Sequence, residues 1–348
     1  MSIKLSIAPR TLHFKQPAGT SRGVYTTRQS WFVTATDNAH PDIRGVGECA
    51  PLPDLSCDAT PNYEERLKEL CNMVEAKGSI DYDTLRPYPS VLFGLETALL
   101  DLKRGGTGVL FDNSFARGEA GIPINGLVWM GNYDEMLQRL EEKMRAGFRC
   151  VKLKIGAIDF DRELDLVRHI RSTFTKEQIE LRVDANGGFT ADCALQRLER
   201  LAQYDIHSIE QPIRQHQWAE MAALCKATPI PIALDEELIG VNDKTEKEEL
   251  LDRIRPHYII LKPSLHGGMY GSREWIALAG KRGIGSWITS ALESNVGLNA
   301  IAQFAADVYG ENIAMPQGLG TGQLFTDNIP MPLEIRGDKL WRTFKVTK

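Results

Sequence analysis

From residue 122 onward, short apolar runs alternate with amphipathic stretches of helical period. "IPINGLVW" precedes "NYDEMLQRLEEKMRAG", "CVKLKIG" precedes "DRELDLVRHIRSTF", and "IELRVDAN" precedes "TADCALQRLERLAQY". The runs "IHSIEQP", "PIALDEE", "YIILKPS", "SWITSAL" and "IAMPQG" continue the series, each after helical text. Eight short strands separated by helices predict a parallel α/β fold, and that count favours a closed barrel over an open sheet.

The first hundred or so residues follow another pattern. "LSIAPRTLHF" and "SWFVTAT" read as antiparallel strands, joined by the Gly-rich, polar "KQPAGTSRGVYTTRQ", which predicts a mobile loop. Two helical stretches come next, "NYEERLKELCNMVEAKG" and "SVLFGLETALLDLKRGG". The expected division is an α+β unit over residues 1–115 and a barrel over 120–324, with the strand-like tail 325–348 returning to the first unit.

Within this pattern "CVKLKIG" is anomalous, because Lys152 and Lys154 fall on one face of an otherwise apolar strand. In a sheet covered on both faces, two buried ammonium groups need carboxylate partners. Candidates occur at the C-terminal ends of the strands, where a barrel of this kind carries its chemistry. Asp184 ends "RVD", Glu210 ends "SIE", Asp235 ends "ALD" and Lys262 ends "IILK". From Lys154 onward these residues are spaced by 30, 26, 25 and 27 positions, about one strand–helix unit each. An acidic residue closing one strand is commonly a helix cap. Three on consecutive strands stand side by side, and hard oxygen ligands without Cys or His select Mg2+ or Mn2+. Lysines on both sides of such a set are equipment for removing a proton α to a carboxylate, with the charge of the resulting enediolate offset by the metal.

Net charge is −5, from 41 Lys and Arg against 46 Asp and Glu, with no long basic block, so neither nucleic acid nor an anionic membrane is an expected partner. The start of the chain has no continuous apolar region, no run is long enough to span a bilayer, and a cytoplasmic location is expected. Six scattered cysteines without a C-x-x-C pair, and seven histidines without an H-E-x-x-H spacing, indicate neither a disulfide framework nor a zinc site. The expected partner is a small-molecule carboxylate, and a homo-oligomer is compatible with the sequence.

The ordered set "VKLKIG", "VDANGGF", "IEQP", "ALDEEL" and "LKPSLHGG" resembles the enolase superfamily, in its muconate-lactonizing-enzyme-like subgroup, over almost the whole chain. The resemblance implies a modified (β/α)7β, TIM-like barrel with an α+β N-terminal capping domain. It also implies Asp184, Glu210 and Asp235 as metal ligands, Lys154 and Lys262 as the acid/base pair, and Lys152 as a group tuning Lys154 or touching the carboxylate. Asn186 and Glu236 are implied behind the ligands. "ECAPLPDLS", "WITSALESNVGLNAIAQFAA" and "PQGLGTGQLFTDN" resemble the branch that dehydrates 2-succinyl-6-hydroxy-2,4-cyclohexadiene-1-carboxylate by syn β-elimination in menaquinone synthesis. Racemisation of N-acylamino acids and epimerisation of dipeptides use the same machinery and stand as the alternative.

Around the mouth, Ser264 and Ser290 are expected to donate to a substrate carboxylate, while Glu293 is read either as a substrate group or as a loop holder. Arg22 and Tyr25, in the first loop, are candidates to reach the substrate. "GLGTG", with Gly318 and Gly320, comes at the last strand and so is not a dinucleotide fingerprint. A turn, or a backbone nest for the succinyl carboxylate, is the expectation.

Overall fold

The computed structural model describes residues 3–20, 23–129, 131–156 and 158–343. Three antiparallel strands open the chain: β1 (Ile3–Thr20), β2 (Gly23–Asp37) and β3 (His40–Cys49), in that order in one sheet. The described residues of the Gly-rich stretch expected as a mobile loop, 15–20 and 23–29, are instead the far ends of the two arms of the β1–β2 hairpin. After a register shift between His13 and Ala18, pairing resumes with Ala18 opposite Tyr25. The hairpin arms satisfy each other's backbone groups, which is what lets so polar a segment stay extended.

Helices α1 (Tyr63–Lys77), α2 (Tyr82–Leu85) and α3 (Pro89–Lys103) pack on this sheet. α3 is buried on nearly every side, lying between the sheet and the rest of the molecule. It sits directly on β3, where a Cβ at Gly47 would fall 1.9 Å from the Gly94 carbonyl oxygen, so only glycine permits the approach.

The second unit begins with β4 (Ile122–Pro123) and β5 (Gly126–Val128), then α4 (Tyr133–Arg145), β6 (Cys150–Lys154), α5 (Phe160–Thr173) and β7 (Glu180–Asp184). It continues through α6 (Ala191–Ala202), β8 (Ser208–Glu210), α7 (Trp218–Ala227), β9 (Ile232–Leu234) and α8 (Lys244–Ile254). β10 (Tyr258–Leu261), α9 (Gly268–Gly280), β11 (Gly285–Ile288) and α10 (Asn295–Tyr309) complete the alternation. Strands β5 to β11 form one parallel sheet in sequence order.

The eighth strand expected at "IAMPQG" is reduced to two parallel bridges, Ile124 to Gln317 and Thr289 to Gly318. Pro316, which has no N–H to give, limits a longer ladder. Those bridges nonetheless close the ring. Gln317 N donates to Pro123 O (2.8 Å) on one side, and Gly318 N to Ile288 O (2.8 Å) on the other. The result is a modified (β/α)7β barrel beside an N-terminal antiparallel sheet domain.

The tail returns to the first sheet at its start, where Phe325 bridges to Phe14, and departs from the expectation beyond it. β12 (Leu333–Arg336) and β13 (Lys339–Arg342) form a hairpin that pairs with β4 of the barrel rather than with the first sheet. The return to β1 is made by the residues just before it: Lys15 N donates to Leu324 O (2.8 Å) and Thr326 N to His13 O (2.9 Å).

The main apolar core fills the layer between the parallel strands and their helices, and a second one lies under the antiparallel sheet. Inside the barrel, Ala233, Ile260 and Trp287 form a small apolar plug, with the Arg182 guanidinium 4.4 Å from the Trp287 ring. Burying an apolar side chain contributes about 1.5–3 kcal/mol. Beside this plug, the mouth of the barrel forgoes that gain by placing charges there.

Candidate active site

Lys154, Asp184 and Glu210 are paired neighbours in one row across β6, β7 and β8. Glu210 pairs with Ala233, so Asp235 lies two residues further along the next strand and points the same way. Lys262 follows β10 directly. Lys152 sits one layer deeper, opposite Leu127 and Arg182.

These groups interlock. Lys152 Nζ lies 2.9 Å from Asp184 Oδ2 and 2.5 Å from Glu210 Oε2. Lys154 Nζ is 3.0 Å from the same Asp184 oxygen, and Lys262 pairs with Asp235. Burial opposes ionisation of Asp184, but Lys152 and Lys154 outweigh it and hold the carboxyl well below its ordinary range. Asp235 is likewise lowered, by Lys262 against burial. Glu210 is pushed well up by burial and then by Asp184. Burial works against the Lys152 and Lys262 ammonium groups, yet their carboxylate neighbours keep both pKa values raised.

Asn186 links the row to Glu236. Lys154 Nζ donates to Asn186 Oδ1 (2.6 Å), and Asn186 Nδ2 donates to Glu236 Oε1 (2.9 Å). Glu236 begins a short 3-10 turn, Glu236–Leu238, and its carboxyl is raised by burial and by Asp235.

Among the described residues, no three carboxylate, His or Cys side chains converge on one point at coordination distance, because ammonium groups stand between them. The composition of the cluster still suits a divalent cation. Asp184, Glu210, Asp235 and Glu236 carry one more ionisable charge than Lys152, Lys154 and Lys262 offset. Asp235 Oδ1 and Glu236 Oε2 are buried with no hydrogen-bond partner among the described residues. Oxygen donors with spare lone pairs are what a hard ion takes.

The cluster floors a cavity of about 550 Å³, within the range of small-ligand sites. Tyr25, Leu52 and Leu55 from the N-terminal unit and Trp129 and Leu292 from barrel loops give it apolar walls. Arg22 lies outside the described residues. Tyr25 reaches the cavity, and its hydroxyl donates to Pro53 O (3.2 Å). Ser290 lines it too, with Oγ 2.6 Å from Thr321 Oγ1.

Ser264 does not serve as expected. It is fully buried, outside the cavity wall, and donates to Glu293. Glu293 also accepts from Ala291 N (2.6 Å), so of its two readings the geometry is that of a loop holder. Gly320 lines the cavity, as does Gly318, but the Gly318 N–H is taken by Ile288 O and a Cβ there would meet Thr289. Gly318 therefore closes the barrel wall and offers no nest for an anion.

Two side chains at this end were not legible beforehand. Gln211 joins the ends of β8 and β9. Arg28, buried on β2, donates to Pro51 O, to Ala50 O (2.5 Å), to Leu292 O (3.2 Å) and to Ala291 O (3.4 Å), tying a loop of the first unit to one of the barrel. Their partners are mostly backbone atoms distant in sequence, which leave no residue pattern.

A closed parallel barrel with carboxylates from three consecutive strands set between lysines is a design for stabilising carbanions next to carboxylates. The enolase C-terminal domain-like family matches residues 135–338, and the MenC N-terminal domain family matches 20–102. An o-succinylbenzoate synthase from Desulfotalea psychrophila is 47% identical over 97% of this chain and 98% of its own. The crystal structure of MenC from that organism superposes with a TM-score of 0.82 at 43% identity, covering 98% of this chain and 100% of that one. A dipeptide epimerase from Enterococcus faecalis, complexed with Mg and the dipeptide L-Leu-L-Tyr, has a TM-score of 0.81 at 20% identity over 98% and 97% of the two chains, a likeness of fold. The chain belongs to the enolase C-terminal domain-like family, in the branch that holds the D. psychrophila synthase. Among the described residues, no helix is long and apolar enough to cross a membrane.

Proposed function

We propose that this chain is an o-succinylbenzoate synthase, a hydro-lyase converting 2-succinyl-6-hydroxy-2,4-cyclohexadiene-1-carboxylate into o-succinylbenzoate for menaquinone synthesis. The observation that carries the reading is the row of carboxylates flanked by Lys154 and Lys262 on the floor of an apolar-walled cavity, in a chain related along its length to such an enzyme. Residues 1–115 act as the capping domain and 120–324 as the catalytic barrel, working in the cytoplasm.

Asp184, Glu210 and Asp235 would hold Mg2+, with Mn2+ also suitable. When bound, the ion supplies positive charge to a carboxylate gaining a second negative charge. Lys154, as the free amine, takes the proton from C1 of the substrate, and the electron pair moves into the carboxylate. As the pair returns to form the C1–C6 double bond, the C6–O bond breaks on the same face. The departing hydroxide takes the proton from Lys154 and leaves as water. Lys262 remains an ammonium group over the ring, and Lys152 holds positive charge beneath Lys154. Asn186 orients Lys154, and Glu236 orients Asn186. Tyr25, Ser290 and Gly320 contact the succinyl end.

The second reading, racemisation of N-acylamino acids or epimerisation of dipeptides, draws on the lysines lying on both sides of the row. Incubation in D2O with Mg2+ separates the two. Aromatisation of the cyclohexadiene, with slower α-deuterium uptake by N-succinylamino acids and dipeptides, supports the synthase. Fast deuterium uptake without aromatisation would assign the chain to the racemases and epimerases.

A further inference from the structure

Gln211 follows Glu210 at the end of β8, is fully buried, and has φ +38°, in the left-handed region that side-chain-bearing residues seldom adopt. Its side chain crosses to the next strand. Oε1 accepts from Asp235 N and from Glu237 N, each at 3.2 Å. Nε2 donates to Ile213 O (3.0 Å) and to Glu237 Oε2 (3.3 Å). On the other side, its carbonyl accepts from Gly187 N (2.6 Å), just beyond Asp184. One residue thus ties together the ends of the three strands that carry Asp184, Glu210 and Asp235.

The geometry points to Gln211 as the positioning residue that sets the spacing of these carboxylates for a divalent cation, an inference that rests on the metal-binding reading above. Only a side-chain amide of this length fits the role. The position needs one oxygen to accept from two backbone N–H groups and a donor facing both a carbonyl and the Glu237 carboxylate. Asparagine is a methylene too short. Glutamate keeps the acceptor but turns a second carboxylate toward Glu237. Glu237 is occupied on its far side, where Oε1 accepts from His216 N (2.8 Å), so it has no easy retreat. Exchanging the two residue types restores the contact between 211 and 237 with its polarity reversed and the net charge unchanged, because a glutamine at 237 donates to a glutamate at 211, but that glutamate still has no proton to give the Ile213 carbonyl.

The test is the affinity of the full chain for Mn2+, measured by titration calorimetry without substrate, in the wild type, Gln211→Glu, Gln211→Met, Gln211→Glu with Glu237→Gln, and Asp184→Asn. Groups behind metal ligands typically govern affinity by about 10- to 100-fold. Gln211→Glu and Gln211→Met should each weaken Mn2+ binding by about that factor, with circular dichroism matching the wild type. The double exchange should recover part of the loss, because the 211–237 contact returns while the Ile213 carbonyl stays without its donor. The methionine variant supplies the answer if the glutamate variant does not fold. Wild-type affinity in a folded Gln211 variant would overturn the inference, as would a double exchange that binds Mn2+ no more tightly than Gln211→Glu alone. No Mn2+ uptake by the wild type, or undiminished uptake by Asp184→Asn, would instead overturn the metal reading beneath it.

Discussion

The molecule buries ionisable side chains in two places and treats them in opposite ways. At the seam between the two units, Glu48 accepts from Ser30 Oγ (2.8 Å), Ser294 N (2.9 Å), Ser294 Oγ (2.5 Å) and Gly297 N (3.0 Å), capping α10 with all its bonds filled. Glu96 on α3 accepts from Met269 N (2.6 Å) and Tyr270 N (2.9 Å) at the start of α9, and Arg28 spends its guanidinium on carbonyls. At the barrel mouth, by contrast, charge faces charge, and Asp235 Oδ1 and Glu236 Oε2 have no partner among the described residues. A buried ionisable group satisfied by backbone dipoles holds structure together. A cluster of like groups with capacity left over is held at a cost to stability, and such a cost marks a place of chemistry.

The sharpest break in this contrast is Lys154→Ala. Loss of a general base lowers turnover by about 10²- to 10⁴-fold, measured as kcat with saturating Mg2+, while the urea midpoint stays near that of the wild type. Glu48→Gln should do the reverse, since an amide cannot accept at both oxygens. About 3 kcal/mol of stability should be lost, read from urea unfolding, with Mn2+ affinity unchanged.

A pH titration of stability separates the seam further. Burial pushes the Glu96 carboxyl from 4.5 to about 8 against the pull of its two N–H donors. Between those values the folded state keeps a proton that the unfolded chain has released. This contribution is fully present below about pH 4.5 and is lost as pH rises through about 8, with a slope approaching ~1.4 kcal/mol per unit. Comparing urea midpoints at pH 6 and pH 8 should show a fall that Glu96→Gln flattens. The smallest effect is expected from Arg28→Met. Loosening the loops that carry Leu52 and Leu292 should raise KM roughly tenfold, about 1.4 kcal/mol of binding, with a lesser change in kcat.

Features carried by local pattern were legible in the sequence. The alternation of strands and helices reports the barrel because each element has its own apolar period, and the strand-end residues report the row because one parallel strand follows another in order. What escaped depends on distant partners or on backbone. Glu48 caps a helix 246 positions away, and the nearest of Arg28's barrel carbonyls in sequence is 263 positions off. Ser264 reads as a mouth donor until Glu293, 29 residues on, takes its hydroxyl. The last strand reads as apolar text, yet Pro316, with no N–H to give, leaves it as two bridges. The β1–β2 hairpin reads as a loop because its residues are small and polar, while its pairing is what keeps it extended.

Metal-dependent proton removal by Lys154 is tested most directly by the ultraviolet change that accompanies aromatisation when the hydroxycyclohexadiene substrate is mixed with the protein and Mg2+, then with chelator, and then with Lys154→Ala in place of the wild type. The wild type should form o-succinylbenzoate rapidly and lose that signal on chelation, and the lysine variant should show almost none of it despite intact Mn2+ binding. Aromatisation that persists without the metal, or at an unchanged rate without Lys154, would contradict these roles of the metal and the lysine.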